Sequence, residues 1–271
     1  MGGKTILETF SSSLPDLPLD SSTLEYRKVT TTSASTKAEE PLKALRFNDY
    51  HSILDKGRMF LDGISPKDLS DSVSTTLTST IKTEADVMAQ SILYLLHNVN
   101  IVLNKSLKNG WIEGHLEWTQ KLKMRSDYRW TYRSLDGDTL HFAVLELKAP
   151  NLLRWEDFEG AIALNDNEEK EKIDDAYSEP SGTLLVDNGK IFVQQVKKYL
   201  KNLGTKDVAL FDWKHLVTLD TEGLDEDSRH PRAARFTWFE EDGKDVGKGI
   251  NFHMMLLGFL HQAIDRYPMI S

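Results

Sequence analysis

The sequence predicts an α/β fold of the α+β kind, built on a mixed sheet, and three observations predict it. Asp136-Gly137-Asp138 separates two runs of strand character, which marks a hairpin. Downstream, Phe192, Val196, Leu200 and Leu203 recur at helical spacing. Beyond them DVALFDWKHLVTL, residues 207–219, reads as another buried strand. The order is helix, strand, strand, helix, strand, with one more strand and a closing helix appended.

The elements follow along the chain. Residues 1–40 are rich in Ser, Thr and Pro with little periodicity, so a disordered leader is expected before a single domain over 41–271. Residues 42–61 look like a short helical stretch, and 70–80 a Ser/Thr-rich joint. Thr83 caps the next helix with Asp86 at its third position, and Glu84, Met88, Ile92 and Leu95 share one face of it. LKMRSDYRWTYRSL and LHFAVLELK form the hairpin. An acidic loop over 156–179 leads to the helix at 189–203, and Gly204 suits its C-terminal stop. RAARFTWFEE adds a strand and NFHMMLLGFLHQAIDRY closes the chain.

Composition narrows the function. A length of 271 residues with 39% hydrophobic and 28% charged side chains suits one soluble unit with its own core. The absence of cysteine excludes disulfides, thiolate zinc sites, iron–sulfur clusters and cysteine nucleophiles, and fits an intracellular setting, nuclear or cytoplasmic. No apolar run has signal-peptide or membrane-span character, so no membrane partner is expected. GGKT at residues 2–5 lacks the preceding strand and glycine of a P-loop, and Ile6 stands where myristoylation wants Ser or Thr.

The net charge of −9 argues against nucleic acid, yet the charges are segregated. Residues 121–133 carry Lys121, Lys123, Arg125, Arg129 and Arg133 against Asp127 alone, and 190–206 carry five lysines and no acid. Ten carboxylates against two lysines fill 156–179. A basic groove on an acidic protein is one reading; solvated faces of ordinary elements are the other.

FAVLELKAP, residues 142–150, puts Glu146 and Lys148 inside a strand that is otherwise apolar. Buried charges need partners. Residues two apart in a strand point the same way, and a hairpin can bring Asp127 from the preceding strand beside them. Two carboxylates and a lysine make an oxygen-ligand site for Mg²⁺ or Mn²⁺, with Lys148 placed for the attacking water.

These residues resemble the PD-(D/E)xK nucleases, whose restriction-endonuclease-like core runs αβββαβ with Asp on the second strand and ExK on the third. The match is Asp127, Glu146-Leu147-Lys148 and Glu84 on the first helix. Gln195 and Tyr199 add the QxxxY of RecB-type and lambda-exonuclease-type members. The resemblance covers residues 80–220, and Ser126 replaces the motif's proline. In general look the chain also resembles divergent fungal nuclease-like proteins and Crinkler-type effector domains. The tripeptide [DE]xK alone is common: it recurs at Glu168 in the acidic loop, at Asp212 in an apolar strand and at Asp242 in a turn. Only Glu146 has the upstream Asp strand and the downstream QxxxY.

The resemblance implies a metal-dependent nuclease acting on phosphodiesters, DNA ahead of RNA. Glu84, Asp127, Glu146 and the Leu147 carbonyl would ligate the metal, Lys148 would serve the water, and Gln195 and Tyr199 would support substrate. Lys197, Lys198, Lys201, Arg125 and Arg129 would touch the backbone. The bland readings stand beside these. Glu146 and Lys148 can pair with each other, Glu84 can be a first-turn acid, and Gln195 and Tyr199 can form a helix rim. Tyr128, Trp130 and Tyr132 can stack on bases or simply pack, His215 suits a core or edge, and His230 a surface loop. The alternative function is a catalytically inactive nuclease-like fold that binds nucleic acid or a protein.

Overall fold

Alternating side chains and a tight turn make the middle of the chain a meander, and the rest of the sheet is built outward from it. The computed structural model describes residues 4–30, 32–73, 80–119, 124–222, 224, 233–245 and 248–270, without the side chains of 117–119 and 124–126. The chain starts with β1 (Lys4–Thr5), α1 (Ile6–Thr9), α2 (Ala34–Lys37), β2 (Leu45–Phe47), α3 (Tyr50–Asp62) and β3 (Ser72–Val73). Next come α4 (Glu84–Ser91), a π-helical turn over Ile92–Leu96, α5 (His97–Ser106), β4 (Gly110–Thr119), β5 (Met124–Ser134) and β6 (Thr139–Leu147). It ends with β7 (Ile162–Ala163), α6 (Asp166–Ser178), α7 (Asp187–Leu203), β8 (Asp207–Phe211), β9 (His215–Asp220), β10 (Ala234–Glu240) and α8 (Phe252–Ile264).

The fold is of the mixed α/β class that the sequence predicts. Its main sheet has eight strands in the order β4-β5-β6-β8-β9-β10-β2-β7, and β1 pairs with β3 apart from it. Strands β4, β5 and β6 are antiparallel neighbours, whereas β8 lies parallel to β6 with α7 as the crossover. Gly137, at φ 96°, turns the hairpin between β5 and β6. Thr83 and Asp86 bond reciprocally to each other's backbone N–H at the start of α4, satisfying donors that the first helical turn leaves open. Gly204 ends α7 in the left-handed conformation at φ 65°, as the sequence suggests.

Strand β6 is buried on both faces and divides two cores. Ala143, Leu145 and Leu147 face α3, α5 and α8, together with Trp130 and Tyr132. Val144 faces α7, with Phe192, Val193, Val196 and Tyr199. On the first side α3 and α8 cross at glycines: a Cβ at Gly258 would stand 1.8 Å from the Ile53 carbonyl oxygen, and one at Gly57 2.4 Å from that of Met254. Only hydrogen lets these helices approach so closely.

Several expectations are corrected. The start of the chain is packed, not disordered, over its described residues: Ile6, Phe10, Leu14 and Leu17 are buried in the same core as Met255, Leu256 and Leu260 of α8. Polar residues between these apolar ones conceal their spacing. Residues 45–47, expected to be helical, are a strand inserted between β10 and β7. The acidic stretch contains α6, whose first turn holds Asp166, Glu168 and Glu169 where the helix dipole favours anions. Residues 207–219 are two antiparallel strands. Asp212 turns the chain there, its carboxylate accepting from the N–H groups of Lys214 (3.1 Å) and His215 (2.9 Å), with Trp213 at φ 75°. Strand β4 is absent from the sequence reading, although Gly110–Thr119 alternates.

Candidate active site

Glu146 and Lys148 extend from the end of β6 on the side of α7, as their two-residue spacing requires. The register pairing Tyr128 with Leu145 sets Asp127 opposite Glu146, on the same face. Asp127, Glu146 and Lys148 are each about 5% exposed or less. Charges so desolvated need near partners. Lys148 Nζ donates to Glu146 Oε2 at 2.8 Å, and the Tyr199 hydroxyl donates to Glu146 Oε1. Asp127 Oδ2 accepts from the Leu147 N–H at 2.9 Å. The Leu147 backbone thus lies against Asp127, while its side chain packs into the opposite core.

The electrostatics follow from crowding. Burial, then the Glu146 carboxylate and with less effect Glu84, push the Asp127 carboxyl up to about 7, against the pull of Lys148. Burial works to lower the Lys148 ammonium, but Glu146, Asp127 and Glu84 outweigh it and leave the ammonium raised. The Tyr199 hydroxyl is raised well above the ordinary tyrosine range by burial and by the same carboxylates. Tyr199 is therefore a protonated donor. The cluster holds more carboxylates than cations.

Glu84 stands in the first turn of α4 and lines a cavity of about 640 Å³ together with Asp127, Glu146, Lys148, Gln195 and Tyr199. Helix α4, the hairpin and α7 therefore meet at one place. Gln195 is half-buried, and its Oε1 has no hydrogen-bond partner among the described residues. The rim reading of Tyr199 is corrected: the ring is buried and its hydroxyl faces Glu146.

The expected nucleic-acid contacts divide. Lys198 lines the cavity and donates to Ser35 Oγ at 2.9 Å, and Lys201 lies 3.8 Å from Glu39. Lys197 is half-buried on the same helix. Arg129 is buried rather than offered to a backbone, on the face of Asp127, and its charge helps to lower the His141 imidazole, which burial chiefly depresses. Arg125 belongs to β5, but its side chain is outside the described residues, as is His230. Tyr128, Trp130 and Tyr132 are core residues, closed to base stacking; Trp130 Nε1 donates to Asn100 Oδ1 at 2.8 Å. His215, partly buried at the start of the interior strand β9, stands beside Asp212 and Trp238.

Sequence reasoning missed the contribution of the first forty residues. Arg27, Lys28 and Ser35 line the same cavity. No local motif marks them, because they reach the site only through tertiary packing. Compared with known proteins, the chain matches no family model, no curated protein and no solved structure.

Among the described residues no three Asp, Glu or His side chains are grouped to hold a metal ion as they stand, and Lys148 is the cation at the centre. The donors nevertheless fit a hard cation. Asp127 and Glu146 offer carboxylate oxygens on one sheet face, and Glu146 and Glu84 add to the burial that chiefly raises the Asp127 carboxyl. No helix among the described residues is long and apolar enough to cross a membrane.

Proposed function

We propose that the chain is a metal-dependent nuclease of the PD-(D/E)xK type that hydrolyses phosphodiester bonds in nucleic acid. One observation carries the reading: Asp127, Glu146 and Lys148, buried on one sheet face, share a cavity with Glu84, Gln195 and Tyr199 from two different helices. A salt bridge alone would need neither the second carboxylate nor the cavity. With α5, β7 and α6 as additions, the order helix, three antiparallel strands, crossover helix and parallel strand from α4 to β8 agrees with the same reading.

Asp127, Glu146, the Leu147 carbonyl and Glu84 would hold Mg²⁺ or Mn²⁺, which when bound supplies charge neutralisation at the phosphate and acidifies water. Lys148 orients the attacking water and favours its deprotonated form through the ammonium charge. Tyr199 fixes the rotation of Glu146 by its hydrogen bond. Gln195 Oε1 accepts from a donor on the substrate or from a water.

The alternative, a nuclease-like fold that only binds, draws on the fact that both Glu146 oxygens already have donors. Calorimetric titration of Mn²⁺ into the wild type and Glu146→Gln, run beside cleavage assays, separates the two. The nuclease reading expects metal binding and cleavage, both lost in the variant. Binding of nucleic acid without either would replace it by the alternative.

A further inference from the structure

One wall of the cavity, termed its roof, comes from the start of the chain: residues 27–30, 32, 33, 35 and 36 line it, and the segment is bonded on both sides of them. The Tyr26 hydroxyl donates to Asp157 at 2.8 Å while its ring carries the Arg154 guanidinium 3.9 Å from its centroid. Asn188, at the start of α7, accepts from the Val29 N–H at 2.7 Å and donates to the Arg27 carbonyl at 2.8 Å. Past α2, Gln194 donates to the Glu39 carbonyl at 2.6 Å. A segment with so many long-range bonds is part of the site's wall and not a loose tail.

Its charges are unequally used. Lys28 lies 2.6 Å from Asp187. Arg27, half-buried in the wall of the cavity, has its Nε enclosed with no hydrogen-bond partner among the described residues. The Nε itself is closed to solvent, so a ligand meets Arg27 through the exposed part of the side chain that lines the cavity, and a phosphate oxygen is the acceptor whose geometry and charge suit a guanidinium there.

We propose that this roof restricts the site to single-stranded nucleic acid and that Arg27 binds the phosphate of that strand; the proposal rests on the nuclease reading for its substrate. The volume of about 640 Å³ lies within the usual range for one small ligand. B-form DNA, with a major groove alone about 12 Å wide, is a stiff rod that cannot lower a phosphodiester beneath a fixed strap to carboxylates this deeply buried. A single strand can splay its backbone and enter.

The experiment uses the full chain. Fluorescence anisotropy with Glu146→Gln protein compares one labelled oligonucleotide as a single strand and as a duplex. Cleavage of both by the wild type in Mn²⁺ runs in parallel. The single strand should bind at least about tenfold more tightly than the duplex, and Arg27→Gln should weaken single-strand binding by about tenfold, with Arg27→Lys recovering part of it. In wild-type background Arg27→Gln should raise KM and leave kcat within about threefold. Equal binding of duplex and single strand, or unchanged binding in Arg27→Gln, overturns the roof. Single-strand binding without cleavage by the wild type overturns the nuclease reading and leaves the roof standing.

Discussion

Replacing Lys148 by Met removes the one ammonium at the centre of the carboxylate cluster while keeping most of the side-chain volume. The Lys148 and Glu146 side chains are 6% and 5% exposed, so the loss is that of a buried pair and not of a surface one. Breaking such a pair costs about 3–5 kcal/mol. Proton uptake cushions the change: Asp127, already pushed up to about 7 by burial and Glu146, can discharge near neutrality. The lower end, about 3 kcal/mol, is therefore expected at pH 7 in EDTA. At about 2–4 °C per kcal/mol this is a fall of roughly 6–12 °C in melting temperature. A divalent cation replaces the missing charge, so Mn²⁺ should stabilise Lys148→Met more than it stabilises the wild type, and about 2.7 kcal/mol is expected at a hundred times Kd. Urea unfolding followed by tryptophan fluorescence, in EDTA and in Mn²⁺, reads both quantities. A variant as stable as the wild type in EDTA would mean that Lys148 does not hold the carboxylates together. A variant that Mn²⁺ does not stabilise would mean that these carboxylates form no cation site, and the proposed chemistry would fall with it.

Three further outcomes are expected. Tyr199→Phe keeps the ring in its core but leaves Glu146 without one donor, so stability should drop by about 1.5–3 kcal/mol; an unchanged urea midpoint would refute the bond. Burial lowers the His253 imidazole from 6.5 to about 4, and a depressed folded value means that this stability is complete above pH 6.5 and lost as pH falls towards 4. The loss should approach about 3 kcal/mol, and His253→Gln should flatten the acid limb of a stability–pH curve; a limb of unchanged slope in the variant rejects the assignment. Replacing Lys197, Lys198 and Lys201 together by Gln should weaken nucleic-acid binding and reduce its salt slope by about one unit per lost phosphate contact, whereas Lys148→Met should leave the slope intact. A slope unaltered by the triple change would remove α7 from the binding face.

The parts of the site that were legible are those written within a short span of chain. Asp127, Glu146 and Lys148 are joined by one hairpin whose turn is spelled out by Asp136-Gly137-Asp138, so their meeting is foreseeable, although the register shift at Trp130/Thr131 that sets Asp127 opposite Glu146 is not written in the alternation. Tyr199 could be placed because α7 leads from the β6 side of the chain into β8 and keeps its helical period to the Gly204 stop. The parts that failed depend on distant partners. Leu45–Phe47 is too short to show alternation and is a strand only because β10 and β7 flank it. Ile6, Phe10, Leu14 and Leu17 are diluted among polar residues, and their burial is decided by α8 at the other end of the chain. The aromatic run Tyr128, Trp130 and Tyr132 has the right composition for stacking on bases. Which face of β5 is covered by helices settles its role, and no local pattern states that.

The insertion of β2 has a consequence for how the chain comes into being. Leu45 pairs with Ile162 on one side and Ala234 on the other, so the strand leaves the ribosome long before either neighbour has been synthesised. Pairings of such wide sequence separation form late, since the intervening chain must first be ordered. The roof of the cavity hangs from the same early segment, just ahead of β2. A nascent chain stopped before Ala234 should therefore already hold the bonds that anchor the roof to Asp157, Asn188 and Gln194 but lack one neighbour of β2, and protease should cut it within Leu45–Phe47 while sparing the same bonds in the finished protein.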